Sequence, residues 1–169
     1  MKDFNYKICL IGMPGSGKTT IGKEIAHLIN YKFIDLDEII KVDQGKSIPL
    51  IFKQNGESYF RDLETKFLKE NIENKDKILI STGGGAILKN EILLKRSFNI
   101  YLKCNYNTLV NRIKKSKERP LISKNINESI KKLLTSREGY YSKISNLIIE
   151  ADGLKKETIT NIIKKILWE

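Results

Sequence analysis

In the stretch Gly12-Met13-Pro14-Gly15-Ser16-Gly17-Lys18-Thr19-Thr20, the eight residues from Gly12 to Thr19 fit the pattern G-x-x-x-x-G-K-[ST] in full. Glycines at these spacings let the main chain wrap its N–H groups around an anion. An apolar run, YKICLI, precedes the stretch, and a helical pattern, TTIGKEIAHLI, follows it. A helix opening here adds the positive end of its dipole to the same site. The Lys18 ammonium can reach the β- and γ-phosphates of a nucleoside triphosphate. The Thr19 hydroxyl is placed to ligate Mg²⁺. Gly12, Gly15, Ser16, Gly17, Lys18, Thr19 and Thr20 are therefore the candidate nucleotide-binding residues. No N-K-x-D string for guanine is present, so ATP is the expected triphosphate.

A second group of chemistry-bearing residues closes the apolar run YKFIDLD (31–37) with two carboxylates, Asp35 and Asp37. As strand residues i and i+2 they would share one face. The ends of parallel strands open into the ligand crevice of such folds. The alternative is that DLDE only caps the helix that follows.

The arginines form a third group. The net charge is +11, yet only five of the 31 basic residues are Arg: Arg61, Arg96, Arg112, Arg119 and Arg137. Lysine serves wherever a solvated charge suffices. Arg, which forks planar anions through paired hydrogen bonds, has been kept for fewer places. A basic chain invites a nucleic-acid reading, but the lysines are spread along its whole length with no long basic stripe. The only histidine, His27, lies within a helical pattern and needs no role. Cys9 and Cys104 lack metal-ligand spacing and read as buried, reduced thiols of a cytosolic protein.

These residues need a scaffold. The 169 residues suffice for one domain, with no interdomain linker visible and no apolar run near the ~18 residues that span a bilayer. Apolar runs at 7–12, 31–37, 77–82, 98–104 and 146–151 read as strands. Helical patterns occupy 19–29, 88–96, 105–115, 126–142 and 155–168. Residues 38–73 are helical in pieces, broken near Gly45, Pro49 and Gly56. Strands alternating with helices predict an α/β fold, a parallel sheet covered by helices on both faces. The polar stretch 114–127 is the expected loop.

Taken in order, GMPGSGKTTIG, FIDLDEII, GESYFRDLE, STGGGAI, ERPL and REGYYSKI resemble the shikimate kinases over nearly the whole chain. The resemblance implies a three-layer α/β/α P-loop fold like that of the nucleoside monophosphate kinases, built on a five-stranded parallel sheet. Residues 1–169 would form one kinase unit, with the nucleotide loop at 12–19, a substrate-binding segment at about 36–62 and a lid at about 113–125. It implies transfer of the ATP γ-phosphoryl group to the 3-hydroxyl of shikimate, with Mg²⁺. Asp37 matches a contact to the substrate hydroxyls, and Arg61 and Arg137 match the carboxylate-binding pair. Gly83, Gly84 and Gly85 match the pocket's glycine run. Arg119 matches a lid contact to the phosphates, Arg112 an adenine-associated position, and Asp35 a carboxylate near Mg²⁺, acting through water. Lys18, Asp37 and Arg119 are thus the expected catalytic residues. Arg96 is left as a surface charge. The segment ADGLKKET lacks an Arg that some relatives place near adenine. The expected protein is a cytoplasmic monomer acting on small molecules, with neither nucleic acid nor membrane as partner. The rivals are another small-molecule kinase of this fold, such as a gluconate kinase, and a basic ATP-binding regulator or nucleic-acid-binding module.

Overall fold

The structure is a computed structural model and describes residues 7–74, 76–115 and 125–168. Five strands, β1 (Ile8–Ile11), β2 (Lys32–Asp35), β3 (Ile78–Ser81), β4 (Phe98–Lys103) and β5 (Leu147–Glu150), form one parallel sheet in the order β2-β3-β1-β4-β5. The helices are α1 (Lys18–Leu28), α2 (Leu36–Gln44), α3 (Ile48–Glu73), α4 (Ile87–Leu94), α5 (Tyr106–Lys114), α6 (Ile126–Ile144) and α7 (Lys156–Trp168). The layers are α/β/α. Among the described residues, no helix is long and apolar enough to cross a membrane.

The central strands explain the layering. Every residue of β1 (ICLI) and β3 (ILIS) is buried, as expected of parallel strands covered on both faces. The edge strand β2 (KFID) buries only Ile34 fully. From β1 the chain crosses through α1 to β2, then reverses direction toward β3, β4 and β5. Right-handed crossovers therefore send α1 and α4 to opposite faces. The connections that leave the neighbours β1 and β3 run to opposite faces of the sheet, and a crevice opens between them at the C-terminal ends of the strands. The phosphate-loop motif follows β1 and the glycine run follows β3, so topology alone brings the two together.

The second strand is shorter than its apolar run predicts. It stops at Asp35, whose Oδ1 accepts the Asp37 and Glu38 N–H groups and so caps α2. Asp37 thus stands on the first helical turn and not on the strand. The capping alternative holds at Asp35, because a carboxylate satisfies orphan N–H groups at a helix start. The breaks between 38 and 73 fall as expected. Gly45 ends α2 in the left-handed region, Pro49 lies in the first turn of α3, and Gly56 (φ 83°) kinks α3.

Gly22 lets α1 approach the sheet. A Cβ there would lie 2.6 Å from Phe33 Cε2, 3.0 Å from Leu10 Cδ1 and 3.2 Å from Leu79 Cδ2. Gly22→Ala is therefore expected to destabilise the fold by about 1–3 kcal/mol through overpacking, despite alanine's better helix propensity. Denaturant unfolding would measure it, and a variant as stable as the parent would contradict this packing.

Candidate active site

The phosphate loop opens α1. Gly17, in the left-handed region (φ 99°), is its N-cap residue, without a side-chain cap, and the first turn holds no acidic residue. No acidic residue of α1 itself therefore opposes the positive end of its dipole. By contrast, α2 carries Asp37 and Glu38 in its first turn. Lys18 is buried, and its Nζ donates to the carbonyls of Gly12 (2.8 Å) and Met13 (3.0 Å), which holds the ammonium across the loop. The crevice beyond has a volume of about 390 Å³ and is lined by Lys18, Thr19, Asp37, Ser81, Gly84 and Arg112, among others. Gly15, Gly17 and Thr20 also line it, as do Leu154, Lys156 and Ile159 from the segment after β5.

A cluster of oxygens meets the loop at one point. The Thr19 hydroxyl donates to Asp35 Oδ2 (2.6 Å) and lies 3.5 Å from Ser81 Oγ. Strand register explains the meeting, since Asp35 pairs with Ser81 and Ser81 with Leu10. One carboxylate and two hydroxyls, all oxygen, suit a small hard cation that takes its other ligands from phosphate and water. Among the described residues, no group of three or more His, Cys, Asp or Glu could hold a metal. The donor set thus fits Mg²⁺ carried in with a triphosphate better than a resident metal centre.

The glycine run after β3 is where the remaining site residues converge. A Cβ on Gly84 would lie 2.6 Å from Pro14 Cδ, so the run packs directly on the phosphate loop. A Cβ on Gly85 would lie 2.3 Å from Arg61 Nη2, and one on Gly83 would lie 2.0 Å from Glu64 Oε1 and 3.1 Å from Asp37 Oδ1. Any side chain here would fill the space these groups occupy. Arg137, from α6, donates through Nη1 to the Gly84 carbonyl at 2.9 Å, and the Tyr141 hydroxyl donates to the same oxygen. Burial pushes the Tyr141 phenol up to about 12 against the pull of Arg137, so it stays a neutral donor.

Both arginines are buried at 5% (Arg61) and 3% (Arg137) exposure, which rules out the solvated-charge reading for them. Arg61 donates to Glu57 through Nε (3.2 Å) and Nη2 (3.0 Å), and to Glu64 through Nη1. Those three bonds leave other guanidinium N–H donors for a further acceptor. Arg137 Nε is buried without a partner among the described residues. Burial alone would lower the Arg61 pKa, but Glu64 and Glu57 outweigh it and hold the group charged. Two buried forks beside one glycine run are what recognition of a small carboxylate requires.

Glu64 is the site residue that the sequence reading did not single out. It is fully buried, and its Oε1 has no partner among the described residues. Burial pushes its carboxyl up to about 7, against the pull of Arg61 and with the help of the Asp37 charge. A signal was present in FRDLE, where Arg61 and Glu64 share a helix face at i, i+3 among apolar residues.

The other expected residues fall as follows. Arg112 is exposed beside the loop and donates through Nη1 to the Gly15 and Ser16 carbonyls. Arg96 pairs with Glu73 on the surface. His27 is exposed in the last turn of α1. Cys9 and Cys104 are buried free thiols. Arg119 and most of the expected lid, 113–125, lie outside the described residues.

With this geometry in place, comparison with known proteins is specific. The family model for shikimate kinase matches residues 14–167. A shikimate kinase from Sulfurihydrogenibium sp. (strain YO3AOP1) is 42% identical over 163 residues, covering 95% of each chain. One from Dictyoglomus turgidum is 39% identical, covering 94% of this chain and 96% of that one. Among solved structures, the shikimate kinase from Acinetobacter baumannii in complex with shikimate is 31% identical, with a TM-score of 0.93 over 98% of this chain and 94% of that one. A likeness that runs from the phosphate loop through the glycine run to the last helix leaves one assignment: the chain belongs to the shikimate kinase family.

Proposed function

We propose that the protein transfers the γ-phosphoryl group of ATP to the 3-hydroxyl of shikimate, giving shikimate 3-phosphate and ADP. The observation that carries this reading is the glycine run, on which the phosphate loop packs through Pro14 at Gly84 and which the buried Arg61 and Arg137 approach at Gly85 and at the Gly84 carbonyl. A triphosphate held by the loop and a small acid held by the arginines would share a wall.

Phosphoryl transfer passes through a loose transition state with charge on the equatorial oxygens, so positioning and electrostatics carry most of the catalysis. The N–H groups at the α1 start and the Lys18 ammonium bind the β- and γ-phosphates. Thr19 and Asp35, the latter through water, would hold the Mg²⁺ that ATP carries in, and the ion would supply charge neutralisation at the phosphates. Arg61 and Arg137 fork the acid's carboxylate and fix the ring. Asp37 orients the attacking hydroxyl and accepts its proton. Leu154 and Ile159 offer an apolar wall to the purine, and Arg112 borders the same crevice beside the phosphate loop. Arg119 is assigned the closing contact to the γ-phosphate, which excludes water and suppresses hydrolysis of ATP. Within the same reading, residues 1–169 form one kinase unit with a substrate-binding segment at about 36–62 and a lid at about 113–125. It is a cytoplasmic monomer, with neither nucleic acid nor membrane as partner.

A coupled ADP-release assay against a panel of hydroxylated acids tests the proposal. Shikimate-dependent ADP release, absent with gluconate, is the expected result. Release that depends on a different acid, or none with any of them, would overturn it.

A further inference from the structure

The carbonyl oxygens of the phosphate loop need donors of their own. Those of Gly12 and Met13 accept from Lys18, and that of Met13 also accepts from Ser16 N–H. Those of Gly15 and Ser16 both accept from one atom, Arg112 Nη1, at 3.2 Å each. The same nitrogen lies 3.6 Å from Cys104 Sγ, and that thiol donates to the Ser16 carbonyl at 3.8 Å. The last turn of α5 is pressed against the loop here, since a Cβ on Gly15 would lie 3.1 Å from Ile113 Cγ1.

The peptide units involved flank glycines at positive φ, Gly15 at 85° and Gly17 at 99°. Glycine tolerates both orientations of an adjacent peptide plane, so such a plane flips at little cost. All described peptide bonds are trans, which sets each N–H opposite its own carbonyl. A cation on the Ser16 carbonyl therefore directs the Gly17 N–H to the other side, where the loop wraps its anion. It also polarises that N–H as a donor.

Resting on the kinase reading above, we propose that Arg112 is a positioning residue of the phosphate loop: it holds the Gly15 and Ser16 carbonyls from outside and thereby strengthens the grip on the triphosphate tail, whatever the base attached to it. A contact to the base alone would leave binding of a bare polyphosphate untouched, and this separates the two roles.

The test is calorimetric titration of wild-type, Arg112→Ala and Arg112→Lys protein with ATP and with inorganic tripolyphosphate, each with Mg²⁺. Thermal unfolding of the same samples reports their fold. Arg112→Ala is expected to weaken both ligands by the same factor, about three- to tenfold, the size of one ordinary hydrogen bond, because the lost contacts are exposed and act on the ligand only through the loop. Arg112→Lys should recover most of the loss for both, because an ammonium donates to the same carbonyls without offering a flat face to a purine. Weakened ATP with unchanged tripolyphosphate in Arg112→Ala overturns the proposal and leaves Arg112 a base contact. No change in either ligand overturns it as well. If Arg112→Ala unfolds, Arg112→Lys decides alone: near-parental binding of both ligands supports the proposal, and a loss confined to ATP overturns it. A wild-type protein that binds neither ligand overturns the reading of the loop itself, a failure distinct from the first two.

Discussion

Asp37→Asn is expected to lower turnover about 10²–10³-fold while ATP affinity stays within about threefold. The carboxylate stands on the first turn of α2, against the glycine run, in the crevice that Lys18 and Thr19 also line. Asparagine keeps the shape but accepts no proton, so the hydroxyl would attack without a base. The nucleotide is held by the loop on the other side and should not sense the change. The fold should not suffer either. Asp37 sits near Glu64, and its charge helps to push that buried carboxyl up. Removing a like charge lets Glu64 ionise more easily, which offsets the loss of a charge at the start of α2, so Asp37→Asn is expected to stay within about 1 kcal/mol of the parent in stability. Steady-state kinetics, ATP titration and denaturant unfolding measure the three effects. Unchanged turnover would remove Asp37 from the chemistry, and lost stability would make it a structural residue.

The sheet was readable because its central strands are unbroken apolar runs bounded by turns. All five strands fall where YKICLIG-like runs place them, at Ile8–Ile11, Lys32–Asp35, Ile78–Ser81, Phe98–Lys103 and Leu147–Glu150. The exception is the end of β2. Its apolar pattern continues through Leu36, but a capping bond from Asp35 converts the next residues to helix. The face-sharing argument for Asp35 and Asp37 fails there, although both still border the crevice, one through Thr19 and the other beside Gly83. The rarity of Arg marked five positions without ranking them; Arg61 and Arg137, which the family resemblance singled out, prove buried, whereas Arg96 and Arg112 are exposed. What local pattern cannot carry is long-range closure. Glu64 is buried because Gly83, nineteen positions away, has no side chain (83 − 64), and Arg112 reaches carbonyls about a hundred residues back in the chain.

Arg61→Ala should raise the KM for the acid about 10²-fold, since a buried fork to a carboxylate is among the stronger polar contacts a site can make. It should also destabilise the fold in a pH-dependent way, which a plain contact residue would not. In the parent protein, burial lifts the Glu64 carboxyl from 4.5 to about 7. A raised carboxyl binds its proton more tightly when folded. Its contribution to stability is therefore complete below about pH 4.5 and is lost as pH climbs through about 7, a span of about 3 kcal/mol. Without Arg61, the pull that partly opposes burial is gone, and the Glu64 carboxyl moves higher still. At pH 8 the variant must either bury a lone carboxylate or keep a proton against the solvent, and the expected loss is about 3 kcal/mol. At pH 5 Glu64 is already mostly protonated in the parent, so the loss shrinks toward the lost packing of Arg61 on Phe60 and Gly85. Glu64→Gln on the Arg61→Ala background removes the titrating group and should flatten the dependence. Denaturant unfolding at pH 5, 6.5 and 8 for the single and double variants measures this. A loss of equal size at all three values, or a double variant that keeps the slope, would show that Glu64 is not the group that couples the acid-binding pocket to pH.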